Sequence, residues 1–345
     1  MNQVDKNLIV PKTIDKNGMA FYDVTKPPFS LHGVWYEDGK FYRVKKDVAQ
    51  NVSPNVVQKS TQTAGGRVRF KTDSTNIAIK AVYHNTEDVT IMADVAVKGF
   101  DFYADGVFAR SFSPVPGQGD GDFESKRDIG DRREREITVN MPLYSGITEL
   151  YIGLDEGASL SAADPYKISK PVVFYGSSIT NGACASRPGM TFESMVSRRL
   201  NCDFHNLGFG GSARGERAMA EYVASFDMSA FILDYDHNAP TVEHLAATHE
   251  PFYKTVREKH PDIPIVMLSR PQDPHREVLQ PRFEVVKATY DNAVAAGDKN
   301  VYLINGSTLF EGFEFDYTVD AVHPNDLGFY RMAEAVSDIL EKVLG

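Results

Sequence analysis

The chain has 345 residues, enough for two domains, and 42% of them are hydrophobic, enough to build their cores. A formal net charge of -10 argues against nonspecific binding to nucleic acid or to an anionic membrane, since both favour a basic face. No run approaches the roughly eighteen apolar residues of a membrane span, and two cysteines, Cys184 and Cys202, make no disulfide framework, although a single bridge between them stays open.

The N-terminus, MNQVDKNLIVPKTIDKNG, lacks the apolar centre of a signal peptide, which leaves a cytoplasmic protein or one whose signal has been removed. Next, SLHGVWYEDGKFYRV sets Trp35, Tyr36, Phe41 and Tyr42 around an EDGK turn. These are either the core aromatics of a hairpin or a platform for stacking on sugars. In GRVRFKTDSTNIAIKAVY, Val68, Phe70 and Thr72 alternate with Arg67, Arg69 and Lys71, the period of a half-buried strand; after DSTN, Ile77 and Ile79 resume it. VTIMADVAV, FDFYADGVFAR and REITVNMPL read as further strands, and PVPGQGDGDFESKRDIGDRRERE as a long polar loop with a solvated charge run. Many short strands without a helical period predict an all-β sandwich or jelly roll over residues 1–165. Its candidate roles are reading a carbohydrate and shaping a catalytic cleft from the side.

The polar stretch SLSAADPYKISK leads into a different pattern over residues 170–345. Short apolar runs (VVFY, AFILDY, IPIVML, VYLI) alternate with helical segments such as TFESMVSRRL and FEVVKATYDNAVAAG. In the first, Phe192, Met195, Val196 and Leu200 share one helix face. The alternation predicts a three-layer α/β/α domain around a parallel sheet, whose ligands bind beyond the carboxyl ends of the strands.

Three features lie at such ends. PVVFYGSSITNG breaks from an apolar run into Ser177 and Ser178; NLGFGGSARGE offers Gly208, Gly210 and Gly211; AFILDY runs into DHNAP with Asn238. Near the C-terminus, VDAVHPNDLG sets Asp320 three residues before His323, ahead of a helix that Asn325 or Asp326 can cap. A serine becomes a nucleophile only when a base takes its proton and a third group orients that base. That spacing lets the carboxylate meet Nδ1 and leaves Nε2 for a serine. Singly, each piece has a plainer reading as a cap, a turn or a surface histidine; together, at strand ends, they point to catalysis.

The blocks GSSITNG, NLGFGG, DHN and DAVHPN resemble those of the SGNH hydrolases, the GDSL esterase/lipase superfamily. The resemblance spans about the last half of the chain, and a two-domain bacterial subgroup with a β-domain in front is the nearer likeness. It implies Ser178 as nucleophile, His323 as base and Asp320 as its orienting carboxylate. It also implies an oxyanion hole from the Ser178 and Gly211 N–H groups and the Asn238 side chain. The activity implied is hydrolysis of a small-molecule or carbohydrate ester, an O-acetyl sugar among them, without cofactor or metal. The competing class is a carbohydrate-binding protein that has lost turnover on a hydrolase fold. Two departures stand out: Ser177 occupies the usual aspartate position of the first block, and Asp236-His237-Asn238-Ala239 replaces Gly-x-Asn-Asp in the third. His237 and Arg187 are candidate substrate-binding residues, against a local hydrogen bond for the one and a loop-anchoring ion pair for the other. His244 and His249, five apart, miss the helical zinc spacing.

Overall fold

The computed structural model describes residues 18–114, 121–271, 280–312 and 316–345. The N-terminal stretch read for a signal peptide lies, through residue 17, outside the described residues. The chain gathers into two units. One holds the chain up to Arg43, Thr61–Pro165 and Arg187–Gly189; the other holds Val44–Ser60, Tyr166–Ser186 and Met190–Gly345. Residues 44–60, within the span that sequence period assigns to β, therefore cluster with the second unit. They form α1 (Lys46–Val52) and α2 (Pro54–Lys59), the latter started by the Ser53 hydroxyl, which accepts the Val56 N–H, and by proline at the first helical position.

The first unit is antiparallel. Its strands are β1 (Met19–Asp23), β2 (Ser30–His32), β3 (Trp35–Glu37), β4 (Lys40–Tyr42), β5 (Arg67–Thr72), β6 (Asn76–Thr86), β7 (Phe100–Ala104), β8 (Val107–Phe112), β9 (Asp122–Asp128), β10 (Arg135–Asn140), β11 (Ser145–Asp155) and β12 (Leu160–Ser161). One sheet runs β1-β11-β6-β9; the other runs β12-β5-β10-β7-β8 with β2 also on β5. Inward side chains of both, among them Val68, Phe70, Ile77, Ile79, Phe102, Ile137 and Ile152, make one core, the anatomy of a sandwich. The EDGK hairpin forms with Asp38 at φ 49° and Gly39 at φ 75°, the two left-handed positions of a tight hairpin turn. Phe41 and Tyr42 are buried core residues, while Tyr36 is exposed.

Three expectations fail here. VTIMADVAV is not a strand: residues 94–97 form the single-turn helix α3 (Asp94–Val97), with neighbours Ala96 and Val97 both buried. Its apolar spacing fits either period, and no sheet edge claims it. The polar segment 114–136 is loop only in part, because Asp122–Asp128 pairs with the open edge of β6 through Phe123, its one buried residue. Charged side chains on such an edge block further pairing. Residues 115–120 of that segment lie outside the described residues. Finally, Arg67 and Arg69, predicted to face water, are buried, Arg69 pairing with Glu136 at 2.6 Å. An alternating pattern marks faces but does not reveal what covers the polar one.

The second unit is built on five parallel strands, β13 (Ile168–Gly176), β14 (Cys202–Gly208), β15 (Ala230–Asp234), β16 (Ile265–Leu268) and β17 (Val301–Ile304), in the order β14-β13-β15-β16-β17. The helices are α4 (Ser178–Asn181), α5 (Phe192–Leu200), α6 (Arg217–Ala224), α7 (Val242–Lys259), α8 (Gln280–Ala295) and α9 (Asp326–Leu344). Successive side chains of β13 show how both faces are covered. Phe174 meets Phe192 of α5 edge-on, with Phe192 stacked on Phe329 of α9; Tyr175 stacks on Phe252 of α7. Strands apolar on both faces read as continuous runs, as VVFY and AFIL do. In chain order the sheet is 2-1-3-4-5, so its connections diverge between β13 and β15, where ligands of such sheets bind.

Candidate active site

At the carboxyl end of β13 the chain turns sharply into α4. A Cβ on Gly176 would lie 2.0 Å from Thr180 Oγ1 and 2.4 Å from the Asp234 carbonyl oxygen, so only glycine fits. Ser177 is the N-cap, its hydroxyl accepting the Ile179 N–H, and its own N–H donates to the Asp234 carbonyl at 3.0 Å. Ser178 is the first helical residue, a position whose N–H has no partner within the helix. Two buried side chains hold the turn. Thr180 Oγ1 donates to Asp234 Oδ2 at 2.9 Å, and Asn206 donates to the Thr180 carbonyl while accepting the Gly208 N–H. Burial holds the Asp234 carboxyl well above the usual range, the charge of Asp236 adding to it and the Thr180 hydrogen bond opposing it.

Sequence reasoning passed over Thr180, Asn206 and Asp234. The signal available was a polar residue inside or ending an apolar run, which a buried position allows only when it is hydrogen-bonded.

Ser178 Oγ lies 2.8 Å from His323 Nε2, and His323 Nδ1 lies 2.8 Å from Asp320 Oδ2. The other carboxylate oxygen, Oδ1, accepts the N–H groups of Val322 and His323, closing the Asp320–His323 turn on itself. Burial pushes the Asp320 carboxyl up, but the His323 N–H and imidazole outweigh it and leave it below its ordinary value. An ionised carboxylate only accepts, so Nδ1 carries the proton and Nε2 presents a lone pair to the serine hydroxyl. Asn325 caps α9 through the Leu327 and Gly328 N–H groups, ending the turn.

The other strand ends converge less fully. The Asn238 carboxamide donates to the Phe209 carbonyl at 2.9 Å, tying the loop after β15 to the glycine turn after β14 and leaving a second N–H on the same nitrogen. Gly211 sits at φ +68°, with open space where a side chain would be. His237 Nδ1 lies 3.7 Å from Asp236 Oδ1. Arg187 is elsewhere in the fold: it clusters with the first unit, where it donates to Asp101 at 2.5 Å and to the Tyr103 hydroxyl at 2.8 Å and lies over the Phe108 ring. Those contacts are those of a loop anchor, the plainer of its two readings. Cys184 and Cys202 are both buried and are not bridged to each other, and burial, with the Asp320 charge, pushes the Cys184 thiol up to about 12. His244 binds the Arg214 carbonyl, and His249 pairs with Thr289. Among the described residues no cluster could hold a metal ion, and no helix is long and apolar enough to cross a membrane.

The profile of the GDSL-like lipase/acylhydrolase family matches residues 169–341. The chain belongs to this family. Residues 19–160 match the N-terminal domain of SGNH-hydrolase-type esterases, so the β-sandwich is a family feature too. A protein of Bacteroides ovatus described as a GDSL-like lipase is 30% identical, with a TM-score of 0.85 over 94% of this chain and 98% of that one. A salicylyl-acyltransferase from a tetracycline biosynthetic pathway shares the fold at 21% identity and a TM-score of 0.78, over 95% and 98% of the two chains. So does a family two carbohydrate esterase from Clostridium thermocellum solved with cellohexaose, at 15% identity and 0.62, over 83% and 94%. A search of curated proteins returned no match. As a member of the family, this GDSL-type protein is an acylhydrolase of the esterase kind.

Proposed function

We propose that the protein hydrolyses small acyl esters, O-acetyl esters of carbohydrates in particular, through an acyl-enzyme on Ser178. The observation that carries the reading is the 2.8 Å approach of Ser178 Oγ to His323 Nε2, with Asp320 on the far ring nitrogen. Ser178 Oγ attacks the ester carbonyl as its proton passes to Nε2, and Asp320 stabilises the imidazolium. The oxyanion is met by the N–H groups of Ser178 and Gly211 and by the free carboxamide hydrogen of Asn238. Collapse expels the alcohol, which takes the proton from His323. Water, deprotonated by the same nitrogen, then releases the acid. Each step uses groups of this chain alone. A carbohydrate substrate is supported by the likeness to two-domain carbohydrate esterases.

The test is hydrolysis of p-nitrophenyl acetate, then of acetylated sugars, by wild type and Ser178→Ala, with mass spectrometry for an acyl adduct on the peptide containing Ser178. Turnover lost in the mutant, with the adduct in wild type, supports the reading. Equal rates in both sink it. Sugar binding without turnover in either favours the binding-protein alternative.

A further inference from the structure

The third block departs from its family pattern at Asp236 and His237, which directly precede the proposed oxyanion donor Asn238. Asp236 is 4% exposed. Its Oδ2 accepts the Arg270 backbone N–H at 3.3 Å, while Oδ1 is buried without a side-chain hydrogen-bond partner among the described residues. His237 Nδ1 is likewise buried with no hydrogen-bond partner among the described residues, 3.7 Å from that oxygen. This gap is too long for a hydrogen bond but short enough for charge to choose the tautomer. A carboxylate faces an N–H rather than a lone pair, so the proton sits on Nδ1 and Nε2 becomes an acceptor. The His237 side chain keeps 14% of its surface exposed, and Nδ1 is not part of that surface.

The surroundings keep this arrangement in one charge state. Burial lowers His237 to about 2, and Arg270 after β16, Arg282 on α8 and His323 on the C-terminal turn add to it, so the ring is neutral at working pH. Burial raises Asp236 to about 6, opposed by the Arg270 N–H, by the charges of Arg270 and Arg282 and by the His237 backbone N–H, so the carboxylate is ionised above that value. Arg282 also donates to the Asp236 carbonyl, fixing the backbone at the pair.

We propose that His237 determines specificity: its Nε2, in the tautomer imposed by Asp236, accepts a hydrogen bond from a free hydroxyl on the alcohol portion of the ester. The inference rests on the ester-hydrolase reading and narrows it to monoesters of polyols and sugars. A half-buried acceptor discriminates because an alcohol without the hydroxyl leaves it unpaired.

The test compares two acetyl esters, methyl 6-O-acetylglucopyranoside and cyclohexyl acetate, which has no free hydroxyl. The expected result is that His237→Leu lowers the ratio of their kcat/KM values about tenfold or more, chiefly through KM of the sugar ester. His237→Gln, whose carbonyl also accepts, restores part of the ratio. Asp236→Asn, whose amide hydrogens face Nδ1 and move the ring proton to Nε2, lowers it as well. A ratio unchanged by His237→Leu overturns the proposal, as does a loss that His237→Gln and His237→Leu share equally. The same ratio is read without turnover from the affinity of the Ser178→Ala protein for the two esters, with and without His237→Leu. An inactive wild type would therefore defeat the hydrolase reading alone, and the affinity ratio would still decide the role of His237.

Discussion

The two segments that bring Ser178 and His323 together are built in opposite ways. The turn after β13 is buried and held from several directions: Thr180 to Asp234, Asn206 to Thr180, Ser177 to the Asp234 carbonyl. The Asp320–His323 turn is more open, with the Asp320 side chain 31% exposed, and its bonds are mostly to itself. It also holds Ala321 at φ +63°, a left-handed backbone that a residue with a Cβ adopts at a cost. The contrast teaches that Ser178 is positioned by the tertiary core, whereas His323 is positioned by a local motif. Substitutions in the two segments should therefore separate activity from stability differently.

Ser178→Ala should abolish ester turnover, by at least about a thousandfold, and leave the melting temperature within a few degrees, read by p-nitrophenyl acetate assay and calorimetry. Asp320→Asn should cost about a hundred- to ten-thousandfold in kcat, because the amide no longer holds the Nδ1–H tautomer. Its stability loss should be small, at most about 1 kcal/mol, since the group is partly exposed. A large drop in stability would break the comparison from the side of the base.

Thr180→Val keeps the shape but removes the donor to Asp234 Oδ2, leaving a buried acceptor unpaired. It should destabilise by about 1–3 kcal/mol in urea melts and lower turnover with it. An unchanged midpoint would show that the nucleophile turn is less firmly tied than its hydrogen bonds imply. The smallest effect is expected of Ala321→Gly, where relief of the left-handed backbone opposes a more flexible unfolded chain. A gain between zero and about 1 kcal/mol should appear in the same melts.

Much of the site was legible because its signals are local. Asp320 and His323 are three residues apart, Asn325 caps the helix that follows, and the glycines stand where strands end. The parallel sheet was legible for the same reason, as apolar runs alternating with helical faces. What stayed hidden was polar and buried. Asp234 looks like an ordinary strand-end acid until Thr180, fifty-four positions away, is seen to reach it. Arg187 shows its anchoring partner only when Asp101, eighty-six positions away, is in place.

The sequence by itself determined the two periods, the hairpin at EDGK and the orienting pair of Asp320 with His323, because each depends on residues within a turn or a strand of one another. Only the tertiary structure decided that Ser178 meets His323 across 145 positions, that Asn238 is tied to the glycine turn, that Arg67 and Arg69 are covered, and that residues 122–128 complete a sheet. Those outcomes rest on which surfaces remain unpaired once the strands have assembled, and no local pattern of residues encodes that.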